Sequence, residues 1–140
     1  MRGDGALSKD TQVAITSDKD IVTARQQGRA VALEAGFSLS EATLIATAIS
    51  ELARNIVSYA NRGSITLKPT NGASGMRGLT IVAADLGPGI ADISQALRDG
   101  YSSSGGLGLG LPGVRRLMDE FDIASHAGSG TTVTVTKWLL

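Results

Sequence analysis

The stretch from Ser38 to Ala60 constrains this chain more than any other. Ile45, Ile49, Leu52, Ile56 and Tyr59 recur at helical spacing. At 100° per residue, with Ile45 at zero, all five fall within about 40° of one line. A helix this long with a single apolar stripe must lay that stripe against a second layer of structure. Ser38-Leu39-Ser40-Glu41 offers a capping pair at its start, and Asn61 and Gly63 mark its stop.

The remaining elements fall in order around this helix. Thr11 to Thr16 alternates apolar and polar residues as a short strand. Ser17 and Asp20 form a second capping pair, and Ile21, Ala24, Gly28, Val31 and Ala35 a helical stripe stopped by Gly36. Ile65 to Lys68 reads as a strand, Pro69 to Arg77 as a polar turn, and Leu79 to Ala84 as a buried strand. Residues 90–104 are mostly polar, with a short helix near Ile93 to Arg98, and read as a lid that is mobile without ligand. A helix from Pro112 to Glu120 follows, with Val114, Leu117 and Met118 on one side. Strands Phe121 to His126 and Thr131 to Trp138 are joined by the hairpin signal Ala127-Gly128-Ser129-Gly130. The order βααββ(lid)αββ predicts an α/β two-layer sandwich, a mixed, largely antiparallel sheet with helices on one face. Residues 1–10 read as a flexible N-terminus and 11–140 as one domain, the usual allotment for 140 residues.

Composition excludes several chemistries. There is no cysteine, hence no disulfide, thiolate metal site or cysteine nucleophile. One histidine, His126, excludes a multi-histidine metal site and reads as structural. Thirteen basic residues balance thirteen acidic ones, which argues against a nucleic-acid binder relying on a large basic surface. No apolar run approaches the roughly 18 residues of a membrane span and no signal peptide is visible, so a soluble, cytoplasmic protein is expected. Aromatics are only 4% of the chain, so the core is aliphatic and alanine-rich. Glycine is the outlier, with 18 residues, six of them between Gly100 and Gly113.

Three places can carry chemistry. On the long helix, Glu51 and Asn55 fall at about 240° and 280°, one turn apart at the edge of the stripe. They are either a solvated pair or a carboxylate and carboxamide sharing a hard cation or a water. Arg54, at about 180°, faces outward as a surface charge or partner contact. Asp85-Leu86-Gly87-Pro88-Gly89 closes a strand. It is either a turn or an acid able to accept from an exocyclic amine beside glycines that admit a planar base. Gly105-Gly106-Leu107-Gly108-Leu109-Gly110-Leu111-Pro112-Gly113 opens a helix, where free N–H groups and the helix dipole suit phosphate. Gly108 to Gly113 fits G-x-G-x-x-G, but Ser102, Ser103 and Ser104 before it are no strand, so a dinucleotide fingerprint is rejected. No Walker A sequence is present.

Taken in order, the motifs are specific. Glu51…Asn55, Asp85-x-Gly87-x-Gly89, Gly106-x-Gly108-x-Gly110 and Gly128-Ser129-Gly130-Thr131 resemble the N, G1, G2 and G3 boxes of the GHKL ATPase/kinase superfamily. The resemblance runs from about Val13 to Trp138. The compact size and short lid resemble its anti-sigma-factor kinase branch. Ile49 to Ile56, Tyr101 to Gly106, Leu111 to Val114 and Leu117 to Phe121 look like the RsbT-type switch serine/threonine kinases of bacterial stressosomes. The resemblance implies ATP and Mg2+ as cofactors. Asn55 would complete the Mg2+ shell, and Glu51 would be the general base toward a serine or threonine hydroxyl. Asp85 would read the adenine amine, with Gly87 and Gly89 shaping the base pocket. Gly105, Gly106, Leu107, Gly108, Leu109 and Gly110 would hold the nucleotide, the glycines wrapping its phosphates. Thr131 or Thr132 would back the adenine. Implied partners are STAS-domain proteins of RsbS and RsbR type and an RsbU-like phosphatase, activated by direct binding. Two departures stand out: no separate histidine-bearing dimerisation domain is expected within these 140 residues, and Arg98 is the only basic residue of the lid. The alternative is an anti-sigma factor that sequesters a sigma factor. Retention of both Glu51 and Asn55 argues against a module that has lost catalysis.

Overall fold

The structure is a computed structural model that describes residues 9–88, 110–126 and 128–140. Its elements are β1 (Thr11–Ile15), α1 (Asp18–Ala35), α2 (Leu39–Tyr59), β2 (Gly63–Asn71), a 3-10 turn (Ala73–Gly75), β3 (Arg77–Asp85), α3 (Gly110–Leu117), β4 (Glu120–His126) and β5 (Gly130–Trp138). The expected order is found. The lid, its short helix, Gly89, the run from Gly105 to Leu109, Ala127 and most of the N-terminal segment lie outside the described residues.

The strands form one sheet in the order β1-β2-β3-β5-β4, every neighbouring pair antiparallel. Register explains why one face is covered and the other open. Val13 lies opposite Ile65, Ile65 opposite Ala83, Ala83 opposite Val133, and Ile81 opposite Val135. All six are buried beneath α1 and α2. Residues between them point the other way, because side chains alternate along a strand. On that open face Thr70 Oγ1 donates to Thr80 Oγ1 at 2.8 Å, and Thr80 and Thr136 share a hydroxyl hydrogen bond at 2.9 Å. This is the two-layer sandwich expected from the sequence.

Small residues let the helices approach. Ala24, Ala32, Ala42, Ala46, Ala48 and Ala53 are all buried. At Gly28, in the middle of α1, a Cβ would overlap Ile49 Cδ1 of α2, so the missing side chain is the seat for Ile49. The helix ends follow their signals in three of four places. Ser38 Oγ accepts from the Glu41 N–H at 3.1 Å while Glu41 Oε1 accepts from the Ser38 N–H at 3.3 Å, a complete capping box. Gly36 ends α1 at φ 110°. The N–H groups of Gly36 and Phe37 donate to Leu33 O and Ala32 O, a Schellman closure. Asn61, at φ 70°, follows α2. The fourth signal is corrected. Ser17 makes no side-chain cap; Asp20 Oδ2 instead accepts from Thr16 N–H and Thr16 Oγ1 at 2.7 and 2.8 Å, one residue further back.

Two further expectations are corrected. β2 runs through Pro69 to Asn71, with Pro69 opposite Leu79, where a turn was expected. Tyr59 is 46% exposed, because it lies in the last turn of α2, beyond Ile56, where the cover ends.

Candidate nucleotide-binding site

Four chain segments crowd around the end of β3. Asp85 is half-buried there. Its Oδ1 accepts from Gly87 N–H at 2.8 Å and from Thr131 N–H at 3.3 Å, tying the loop after β3 to the start of β5. Both bonds fall on Oδ1, so Oδ2 is the oxygen left for a ligand donor. Glycine is required by the crowding. A Cβ on Gly87 would stand 2.5 Å from Ala60 Cβ, and one on Gly130 would overlap Asp85 O. Gly130 also sits at φ 98°, a region side chains disfavour. A Cβ on Gly63 would overlap Ala84 O and stand 3.0 Å from Asp85 Cβ and Ile56 Cγ2. Gly128 N–H donates to Pro88 O at 2.7 Å. The Asp85–Pro88 loop, the Gly128–Thr131 turn and the C-terminal end of α2 therefore form one built corner. The role of Gly63 was not legible beforehand; it reads in sequence only as a helix stop.

The two threonines part company. Thr131 lies on the covered face with Val133 and Val135, and its Oγ1 shares a 2.8 Å hydrogen bond with Ser125 Oγ. Thr132 lies on the open face, opposite Ala84 and Ala124. The structure brings Thr131 to Asp85 and leaves Thr132 outside the corner. His126 is exposed on β4, not enclosed as a structural histidine would be.

Glu51 is 1% exposed, which overturns the solvated-pair reading for this residue. The middle of α2 is covered by the sheet, by α1 and by α3, so positions well off the stripe are enclosed as well. Burying a carboxylate is costly unless it is paired. The partner is Arg54, whose Nη1 donates to Glu51 Oε2 at 2.8 Å. Arg54 is thus no free surface charge. Glu51 Oε1 is buried and has no hydrogen-bond partner among the described residues. Such orphaned acceptors are rare in folded proteins and call for a cause, such as a catalytic role or a bound water or ion. Asn55, half-buried, stands one turn on from Glu51. From Glu51 to Ala60, against which Gly87 packs, α2 rises about 13 Å.

Beyond α2, Gly110 starts α3 at φ 55°, and Leu111, Pro112, Gly113 and Val114 are buried at its first turn. The helix is therefore anchored where the glycine run arrives. Among the described residues no three His, Asp or Glu side chains cluster as a metal site, and no helix is long and apolar enough to cross a membrane. A metal held here would take one carboxamide oxygen from Asn55 and the rest from phosphates and water. That donor set fits Mg2+, which retains waters and binds few protein oxygens.

The profile of the histidine kinase-like ATPase domain matches residues 15–137. The chain belongs to this family. Within the histidine kinase-like ATPases it is 54% identical over 133 residues to the serine/threonine-protein kinase RsbT of Bacillus subtilis, covering 95% of this chain and 99% of that one. It is 33% identical over 108 residues to the anti-sigma F factor of Thermoanaerobacter sp. (strain X514), 73% of each chain. In three dimensions it resembles the RsbU and RsbW domains of a Mycobacterium tuberculosis protein, with TM-score 0.60 at 22% identity, over 93% of this chain and 32% of that one. It also resembles full-length ShkA in complex with AMPPNP, with TM-score 0.53 at 18% identity, over 86% of this chain and 29% of that one. These two likenesses show the fold. This histidine kinase-like ATPase is an ATP-binding serine/threonine kinase.

Proposed function

We propose that this kinase transfers the γ-phosphoryl group of Mg2+-ATP to a serine or threonine of a STAS-domain protein, of RsbS or RsbR type. Once the phosphorylated partner releases it, the kinase binds and activates an RsbU-like phosphatase within a stressosome pathway. The observation that carries the catalytic part is the buried Glu51 carboxylate whose Oε1 has no partner among the described residues, one turn from Asn55.

The roles divide by chemistry. Asp85 Oδ2 accepts from the adenine amine, while Oδ1 is held by Gly87 and Thr131. Gly87 and Gly89 shape the base pocket, and Thr131 backs it. The glycines of residues 105–110 present N–H groups to the phosphates. Asn55 supplies an oxygen to Mg2+, which when bound neutralises phosphate charge. Glu51 takes the proton of the acceptor hydroxyl as its oxygen bonds to the γ-phosphorus and the bond to the β,γ-bridging oxygen breaks, releasing ADP.

The test is transfer from γ-labelled ATP to purified RsbS- and RsbR-like STAS proteins. Wild type labels the acceptor. Glu51→Gln slows transfer about 10²- to 10⁴-fold with ATP affinity nearly intact, and Asn55→Ala lowers Mg2+-dependent binding and transfer together. A Glu51→Gln protein that labels the acceptor at the wild-type rate refutes the mechanism. The 33% identity to an anti-sigma factor favours a second reading, sequestration of a sigma factor. Capture of a sigma factor with no labelling of any STAS protein would establish it instead.

A further inference from the structure

Glu51 has two carboxylate oxygens in different situations. Oε2 accepts from Arg54 Nη1 at 2.8 Å, while Oε1 is buried and unpartnered among the described residues. The side chain of Glu51 is 2% exposed and that of Arg54 25%. On the helical wheel Arg54, Glu51 and Asn55 stand at about 180°, 240° and 280°, so Arg54 and Asn55 flank Glu51 on opposite sides. Arg54 therefore occupies one carboxylate oxygen, while the other stays buried with no partner among the described residues, one turn before Asn55.

We propose that Arg54 is a positioning residue for the phosphoryl-transfer step: by clamping Glu51 Oε2 it fixes the carboxylate plane and presents Oε1 to the acceptor hydroxyl. The proposal rests on the assignment of Glu51 as general base. The terminal torsion of a glutamate is broad and roughly two-fold, so an unclamped carboxylate samples many orientations. A planar, permanently charged guanidinium holds it as a flexible ammonium does not. Holding the base in line is worth rate, because misplacement of a reacting group by about 1 Å can cost about 10²-fold. Arg54 also offsets the burial of the Glu51 charge, and that purely structural role makes a different prediction.

The experiment uses the full chain, Mg2+-ATP and the STAS protein that accepts label most readily. Arg54→Ala is expected to lower kcat about 10- to 10²-fold, with KM for ATP and for the acceptor within about twofold. Arg54→Lys is expected to recover only a minor part of the loss, since it restores the charge without the planar guanidinium that holds the carboxylate. In a Glu51→Gln background Arg54→Ala is expected to change kcat less than about twofold, because its effect passes through the lost carboxylate. If Arg54→Ala melts early, Arg54→Met, which keeps the apolar stem without donor or charge, carries the same expectation at lower temperature. Wild-type kcat in Arg54→Ala overturns the proposal. So does an equal loss with and without Glu51, or a raised acceptor KM at unchanged kcat, which would make Arg54 a docking contact. Wild-type transfer by Glu51→Gln alone would instead bring down the assignment of the base, and this inference with it.

Discussion

Replacing Asp85 by asparagine separates its two jobs. Oδ1 accepts two backbone N–H groups, from Gly87 and Thr131. An asparagine must therefore keep its oxygen there, since the flipped amide would set its own N–H2 against two donors. The carbonyl still accepts both bonds, so stability falls by about 1 kcal/mol at most, the difference between charged and neutral acceptors. For a chain of this size that is about 3–5 °C in Tm. The outer atom changes from acceptor to donor and now faces the adenine amine, another donor. Losing a charge-assisted bond and leaving donors unsatisfied costs about 2–4 kcal/mol, or about 30- to 10³-fold in ATP affinity. The same inversion should favour a base with a carbonyl in place of the amine, so inosine triphosphate should lose far less affinity than ATP. Calorimetric titration with both nucleotides, beside a thermal melt, reads all three quantities. ATP affinity within twofold of wild type in a protein that melts normally would remove Asp85 from base recognition.

Three further outcomes are expected. Gly28→Ala gains about 1 kcal/mol of helix propensity but overfills the enclosed seat of Ile49, at about 1–3 kcal/mol; denaturant melts should show net destabilisation, smaller when Ile49→Val removes the clashing Cδ1. Gly130→Ala, at φ 98° and against Asp85 O, should lower stability by about 1–3 kcal/mol and ATP affinity with it; calorimetry showing unaltered binding would uncouple the two loops. The Asp20 carboxyl lies below its ordinary value of 3.8, chiefly because Thr16 N–H and Thr16 Oγ1 donate to it. Its folded pKa is depressed, so its contribution is present above that ordinary value and is lost as pH falls through the folded one. Acid unfolding midpoints should therefore shift less in Asp20→Asn than any fixed loss of stability at pH 7 would suggest.

Local signals were legible where one residue decides the outcome. Ser38 with Glu41, Gly36 and the alternation of Thr11 to Thr16 each fix a terminus or a face through bonds within a few residues. Pro69 misled because a missing N–H usually ends a strand. Here β1 begins only at Thr11, opposite Leu67, so at Pro69 only β3 pairs with β2. Edge strands tolerate proline. The Glu51–Asn55 motif was found from spacing and resemblance, but the burial of Glu51 was not. A helical wheel contains one apolar direction, whereas the middle of α2 has neighbours on three sides. The pairing of Arg54 with Glu51 was missed for the same reason: the wheel placed Arg54 in water, and a desolvated carboxylate one turn away was what it needed. Gly63, Gly87 and Gly130 matter through contacts distant in sequence, which no local pattern reveals.

The chain has a single tryptophan, Trp138. Its ring covers Gly72 and Gly78 on the open face, and its Nε1 donates to Glu120 Oε2 at 2.6 Å. It stands at the far end of β5 from Thr131, about 24 Å away along the strand. Intrinsic fluorescence therefore watches the end of the sheet remote from the nucleotide corner. Filling that corner should leave the emission wavelength where it is, while global unfolding should shift it to the red. The protein thus carries its own optical control, one that separates a variant that has lost its ligand from a variant that has lost its fold.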